Sequence, residues 1–107
     1  MERISSREDF DRLVGSGSDF LLLKHSVTCG VSRKAMEEYK KFIEGEDGFD
    51  YYYLVVQTDR GLSDYVAKVL GVKHESPQLF LFRDGDLVWH DSHYLINVEE
   101  ISKHVQT

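Results

Sequence analysis

Cysteine, proline and tryptophan occur once each among the 107 residues, as Cys29, Pro77 and Trp89. A single cysteine excludes an internal disulfide, so a packed core has to hold the fold. It also fits a reducing compartment, and the cytoplasm is the expected location. Positive charge is in the minority: 13 Lys and Arg stand against 19 Asp and Glu, a net charge of -6. That balance lacks the basic face of a nucleic-acid binder. No apolar run approaches the length of a membrane span. No basic segment followed by an apolar stretch opens the chain, so no export signal is expected. Neither nucleic acid nor membrane is therefore expected as a partner. No repeat or low-complexity segment divides the sequence, and its length suits one domain, residues 1–107.

What is present reads as alternating helices and strands. Ser5-Ser6-Arg7-Glu8 suits a capping box, with Phe10, Leu13 and Val14 on one helical face behind it. Gly15-Ser16-Gly17-Ser18 ends that helix. Residues 19–25 read as a buried strand. Beyond Cys29 the apolar positions Val31, Ala35, Met36, Tyr39, Phe42 and Ile43 recur at helical spacing and stop near Gly45. Tyr51 to Gln57 is aromatic and β-branched, hence a strand. The three tyrosines at its start read as strand packing. Leu62, Val66, Val69 and Leu70 form a helical stripe that Gly71 is placed to end. Asp84-Gly85 between Leu79-Phe80-Leu81-Phe82 and Leu87-Val88-Trp89 predicts a tight hairpin. Asn97 then caps a last helix containing Ile101 and Val105. The order α-β-α-β-α-β-β-α predicts an α/β fold: early strands joined by parallel crossovers, then an antiparallel pair.

The lone thiol sits where a strand meets a helix. The first turn of a helix offers unpaired N–H groups and the positive end of its dipole, which favour a thiolate. The flanking Thr28, Gly30 and Ser32 are small and polar, unlike the surroundings of a buried structural cysteine, and all three are expected to stabilise the thiolate. Ser32 shares a helical face with Cys29 and is expected to donate to the sulfur. Lys24, His25, Arg33 and Lys34 add nearby positive charge. Pro77, in Ser76-Pro77-Gln78, stands directly before a strand, a position that a trans proline also tolerates. His90 and His93 with Cys29 supply three of the four ligands of a structural zinc site, and no fourth stands out, so no metal is expected.

"KHSVTCGVS", "GVKHESPQ" and "DGDLVWHDSHY", in that order, resemble the YtxJ family of monothiol bacilliredoxins, within the thioredoxin-like superfamily. That family carries T-C-P-[IV]-S, H-E-S-P-Q and V-W-H-x-S-H segments; here Gly30 replaces the proline of the first. The resemblance implies a thioredoxin-like fold with a central four-stranded mixed sheet, an extra N-terminal helix, and a cis Pro77 facing Cys29. It implies a thiol–disulfide oxidoreductase in which Cys29 removes bacillithiol from mixed disulfides on client proteins. Bacillithiol is the co-substrate, no cofactor is tightly bound, and a flavoprotein elsewhere reduces the disulfide product. Because bacillithiol bears a malate with two carboxylates, Lys24, His25, Lys73 and His93 are candidate partners for it. The backbone of Ser76 is a candidate for pairing with an extended client, Pro77 is a further candidate substrate contact, and His90 is expected to be structural. Two other readings remain. Cys29-Gly30-Val31-Ser32 is similar to the C-G-F-S motif of monothiol glutaredoxins, which carry iron–sulfur clusters with glutathione. Those proteins hold glutathione with a glycine-pair and aspartate turn, where this chain has His90 to Tyr94. The third reading is a redox-responsive binding module without catalysis.

Overall fold

The computed structural model describes residues 1–45 and 48–106. Among them the chain runs β1 (Glu2–Arg3), α1 (Arg7–Gly15), β2 (Phe20–His25), α2 (Gly30–Glu44), β3 (Asp50–Val55), α3 (Arg60–Leu70), β4 (Gln78–Arg83), β5 (Asp86–Ser92) and α4 (Val98–Val105). A 3-10 turn, His93–Leu95, joins β5 to α4. One sheet takes the order β1-β3-β2-β4-β5. The first three strands are parallel, while β4 is antiparallel to both β2 and β5.

This is the expected mixed sheet with one strand more than the four predicted. Strand β1 has two exposed residues and no apolar pattern. It is held from a distance: Arg3 donates twice to the Asp59 carboxylate, at 3.0 and 2.9 Å, and the buried Asp59 also accepts the Val55 N–H at 2.8 Å.

Helices cover both faces, which is why residues 20–23 of β2 and 79–82 of β4 are apolar without interruption. Side chains alternate across a strand. Leu21, Leu23, Leu79 and Leu81 therefore meet Ala35, Tyr39 and Phe42 of α2 and Ile101 and Val105 of α4. Phe20, Leu22, Phe80 and Phe82 meet Phe10 of α1 and Leu62 and Val66 of α3. The Phe20 and Phe82 rings stack at 4.4 Å.

Local signals were close to the observed boundaries, with four corrections. The cap of α1 is Ser6, whose hydroxyl accepts from Asp9 N at 3.1 Å, while Asp9 accepts from Ser5 N at 3.3 Å. The capping box thus lies one residue later than predicted. Strand β3 stops at Val55, because Val56 and Gln57 turn toward Asp59, the cap of α3. Val69 is exposed, so the buried stripe of α3 rests on Leu62 and Val66, with Leu70 half-buried. The last correction lies in β5. A register shift pairs Leu81 with Trp89 but Phe82 with Leu87. Strict alternation would put Leu87 and Trp89 on one face of the strand; they lie on opposite faces, each packed against a different core cluster.

The hairpin between β4 and β5 turns through Asp84 (φ 54°) and Gly85 (φ 81°), the positive pair of a type I′ turn. No described helix is long and apolar enough to cross a membrane.

Candidate active site around Cys29

Cys29 is the N-cap of α2, with extended backbone (φ -117°, ψ 126°). Its carbonyl accepts the Arg33 N–H at 3.1 Å. Its side chain makes no capping bond. Cys29 is half-buried, and its uncapped side chain stands at the positive end of a helix of 15 residues. Gly30 has room beside it: a Cβ there would meet only the Arg33 guanidinium, at 3.9 Å.

The loop leading to the thiol is fastened by a residue that sequence reading left inside a strand. Gln57 donates to the Ser26 hydroxyl at 2.8 Å and to the Thr28 hydroxyl at 3.2 Å. Its side-chain oxygen accepts the Val27 N–H at 3.2 Å. One amide thus grips three consecutive residues of the Cys29 loop. The available signal was a polar residue ending a run that pairs in parallel with β2, since parallel neighbours bring their C-terminal loops together.

Two expected thiolate partners are engaged in the same framework. Ser32 is fully buried, and its hydroxyl oxygen accepts the Ser26 N–H at 3.1 Å. It braces the loop against α2 instead of showing the predicted bond to sulfur. The Thr28 hydroxyl faces Gln57.

Lys24 is the clearest departure from expectation. Predicted to hold a substrate carboxylate, it is 0% exposed. Strand alternation sends it to the α3 side, opposite His25. There its ammonium donates to the Ser63 carbonyl at 3.0 Å, lies 3.1 Å from His74 Nδ1, and sits 5.8 Å from the centre of the Phe80 ring. Burial lowers its pKa from 10.5 to about 8, with the Asp64 carboxylate opposing. His74 is also lowered, by burial and then by the Lys24 charge. Between pH 8 and 10.5 the unfolded chain keeps a proton on Lys24 that the folded chain has released. Stability contributed by this residue therefore rises with pH across that window. Denaturation of the parent and Lys24→Met at several pH values checks this: the parent should gain up to about 3 kcal/mol on the variant between the two limits. A constant difference would reject the assignment.

Pro77 and His93 are brought together. The Ser76-Pro77 peptide is cis. Gln78 pairs with Lys24, which sets Pro77 level with the end of β2. The Pro77 carbonyl accepts the His93 N–H at 3.1 Å. His93 has φ 57° and carries the chain out of β5 with its side chain exposed. Ser92 donates to Glu75 at 2.7 Å, tying the same turn to the residue before Ser76. His90 is exposed on β5, its ring 6.2 Å from Phe80. Lys73 is exposed in the loop before Pro77. Among the described residues no group of three His, Cys, Asp or Glu is arranged to hold a metal ion.

His25 points to the α2 side and is half-buried. Its Nδ1 atom is buried without a hydrogen-bond partner. Burial lowers its pKa, followed by the charge of Lys40, while a backbone interaction with Ser32 opposes both. A cavity of about 670 Å³ opens beside Cys29, its walls including His25, Val27, Arg33, Glu37 and Lys40.

The fold has counterparts among solved structures. A solved structure described as an oxidoreductase with a thioredoxin fold is 42% identical, with 94% of this chain and 89% of that one covered and a TM-score of 0.88. Thioredoxin from Fasciola hepatica superimposes with a TM-score of 0.78 at 15% identity, covering 99% of this chain and 97% of that one. Oxidised mitochondrial thioredoxin 3 from Saccharomyces cerevisiae gives 0.79 at 17%, covering 99% and 93%. The last two likenesses carry the fold alone. The family described as monothiol bacilliredoxin BrxC matches residues 2–101, a span that takes in the thiol at the head of α2, the cis proline and the turn at His93. The chain belongs to the monothiol bacilliredoxin family, on the thioredoxin fold.

Proposed function

We propose that the protein removes bacillithiol from mixed disulfides on client proteins in the cytoplasm, with Cys29 as nucleophile and no tightly bound cofactor. The observation that supports this most is the position of the only cysteine: half-buried, uncapped and at the N-terminus of α2. The Cys29 thiolate attacks the bacillithiol sulfur of the mixed disulfide. The client sulfur leaves as a thiolate and takes a proton, and Cys29 holds bacillithiol as a new disulfide. A second bacillithiol thiolate attacks that adduct, releasing Cys29 and the symmetric disulfide. One disulfide is broken and one formed at each step, so the two electrons gained by the client come from the two bacillithiol molecules that end as disulfide.

The backbone of Ser76, just before Pro77 and beside the end of β2, suits pairing with an extended client segment; Pro77 has no N–H and its carbonyl is taken by His93. His93 joins this edge through its bond to the Pro77 carbonyl.

The test mixes the reduced protein with a bacillithiol-capped client and follows both masses. The expected result is loss of the cap from the client and appearance of one bacillithiol adduct, mapped to Cys29. Transfer from a glutathione-capped client but not from a bacillithiol-capped one would reject the choice of thiol. Absence of any transfer would reject the activity.

A further inference from the structure

The cavity beside Cys29 differs in charge from the molecule around it. The chain carries a net charge of -6, yet the cavity wall holds two cations, Arg33 and Lys40, against one carboxylate, Glu37. On α2 these positions are four and three residues apart, so all three share a face about two turns long. Their neighbours behave differently. Lys34 and Lys41 are held by Glu38, at 3.7 and 3.4 Å. Among the described residues, neither Arg33 nor Lys40 has an acidic group within salt-bridge distance. The Arg33 guanidinium lies back over Gly30, next to the thiol.

The opposite wall supplies a second, independent sign. The buried Nδ1 of His25 has no partner, and a buried polar atom left unpaired is costly unless a ligand or water meets it. A side chain from β2 with an unpartnered Nδ1, and two cations from α2 without a salt bridge among the described residues, thus line one cavity that also contains Cys29. His93 and Pro77 are not among its lining residues.

We propose that this cavity binds the carboxylates of the small thiol, with Arg33 and Lys40 as the anion-binding residues and His25 as the inner hydrogen-bonding wall. The assignment deepens the proposed function and rests on it for the identity of the thiol. Seated this way, the thiol presents its sulfur to Cys29 from the α2 side and leaves the Pro77 edge open. Glu37 works against a dianion and limits affinity.

Malate is the probe, because it carries the two carboxylates and no sulfur. The rate of Cys29 alkylation by iodoacetamide, a neutral reagent, is measured against malate concentration, with sodium chloride at equal ionic strength as reference. Malate should protect Cys29 in the parent. In Arg33→Gln/Lys40→Gln the concentration for half-protection should rise about tenfold or more, as expected for loss of charge-assisted contacts. Glu37→Gln should lower it. The half-saturating bacillithiol concentration for adduct formation should move in the same directions.

Protection equal to that of chloride, or unchanged in the double variant, would overturn the proposal. So would a His93→Ala variant that weakens protection while the double variant does not. These outcomes are separate from those of the proposed function. Malate protection without any transfer of bacillithiol would sink the proposed reaction and leave an anion site beside a thiol. Transfer without malate protection would do the reverse.

Discussion

Cys29→Ser should retain the fold and lose all transfer of bacillithiol from a capped client. The two halves of this expectation have separate physical causes. Cys29 occupies an N-cap with extended backbone and makes no capping bond. Serine is among the preferred N-cap residues, because its hydroxyl accepts an N–H of the first turn. The variant should therefore be at least as stable as the parent, and a gain of about 0.5–1 kcal/mol is reasonable. Chemistry fails for a different reason: an alcohol at neutral pH is no nucleophile toward a disulfide sulfur. Activity should fall to the uncatalysed rate while the thermal midpoint holds or rises. Measured together, the two readouts separate loss of mechanism from loss of structure. Residual turnover near that of the parent would reject Cys29 as nucleophile.

The largest effect on stability is expected from Gly85→Ala in the β4–β5 turn. Gly85 has φ 81°, and a Cβ there would lie 2.6 Å from the Val14 carbonyl oxygen and 3.7 Å from the Gly17 Cα. The left-handed conformation alone costs a non-glycine residue roughly 1–2 kcal/mol. The contact adds to this, because its partner is backbone at the end of α1 and cannot rotate away. A total near 3 kcal/mol is expected, which for a domain of this size lowers the thermal midpoint by about 10–20 °C. Asp84→Asn is the control. It keeps a residue that tolerates positive φ at the neighbouring position and retains the backbone N–H that Asp84 donates to Asp19 at 3.0 Å. It should be close to neutral. A small effect for Gly85→Ala would mean that the hairpin and α1 separate easily.

Legibility followed the range of the interaction. The hairpin, the Asn97 cap and the end of α3 at Gly71 are specified by neighbours in sequence, and each could be placed from the residues. Strands β2 and β4 were legible because their length and composition allow burial on both sides. Strand β1 was not, since everything that holds it is about 50 positions away: the ladder to Tyr52 and Tyr53 and the ion pair with Asp59. The face change between Leu87 and Trp89 depends on a bulge that no local residue signals. At the site, Cys29 stood out from its position and Pro77 from its singularity. Lys24 was misjudged by nearness in sequence to the thiol, although alternation from His25 already turns it to the other face. Ser32 and Thr28 were assigned to the sulfur because their alternative partners, Ser26 and Gln57, become visible only once β2, β3 and α2 are assembled.

The grip of Gln57 on residues 26 to 28 bears on how this family can vary. A proline after the active cysteine stiffens the loop from within, through its own ring. Here Gly30 gives up that stiffness, while three hydrogen bonds from the loop after β3 hold the residues just ahead of the thiol. Rigidity has been moved from the backbone of one loop to the side chain of another. Whatever fixes the approach to the thiol in this chain thus depends on a residue 29 positions beyond Thr28, and Gln57→Ala would remove all three bonds at once.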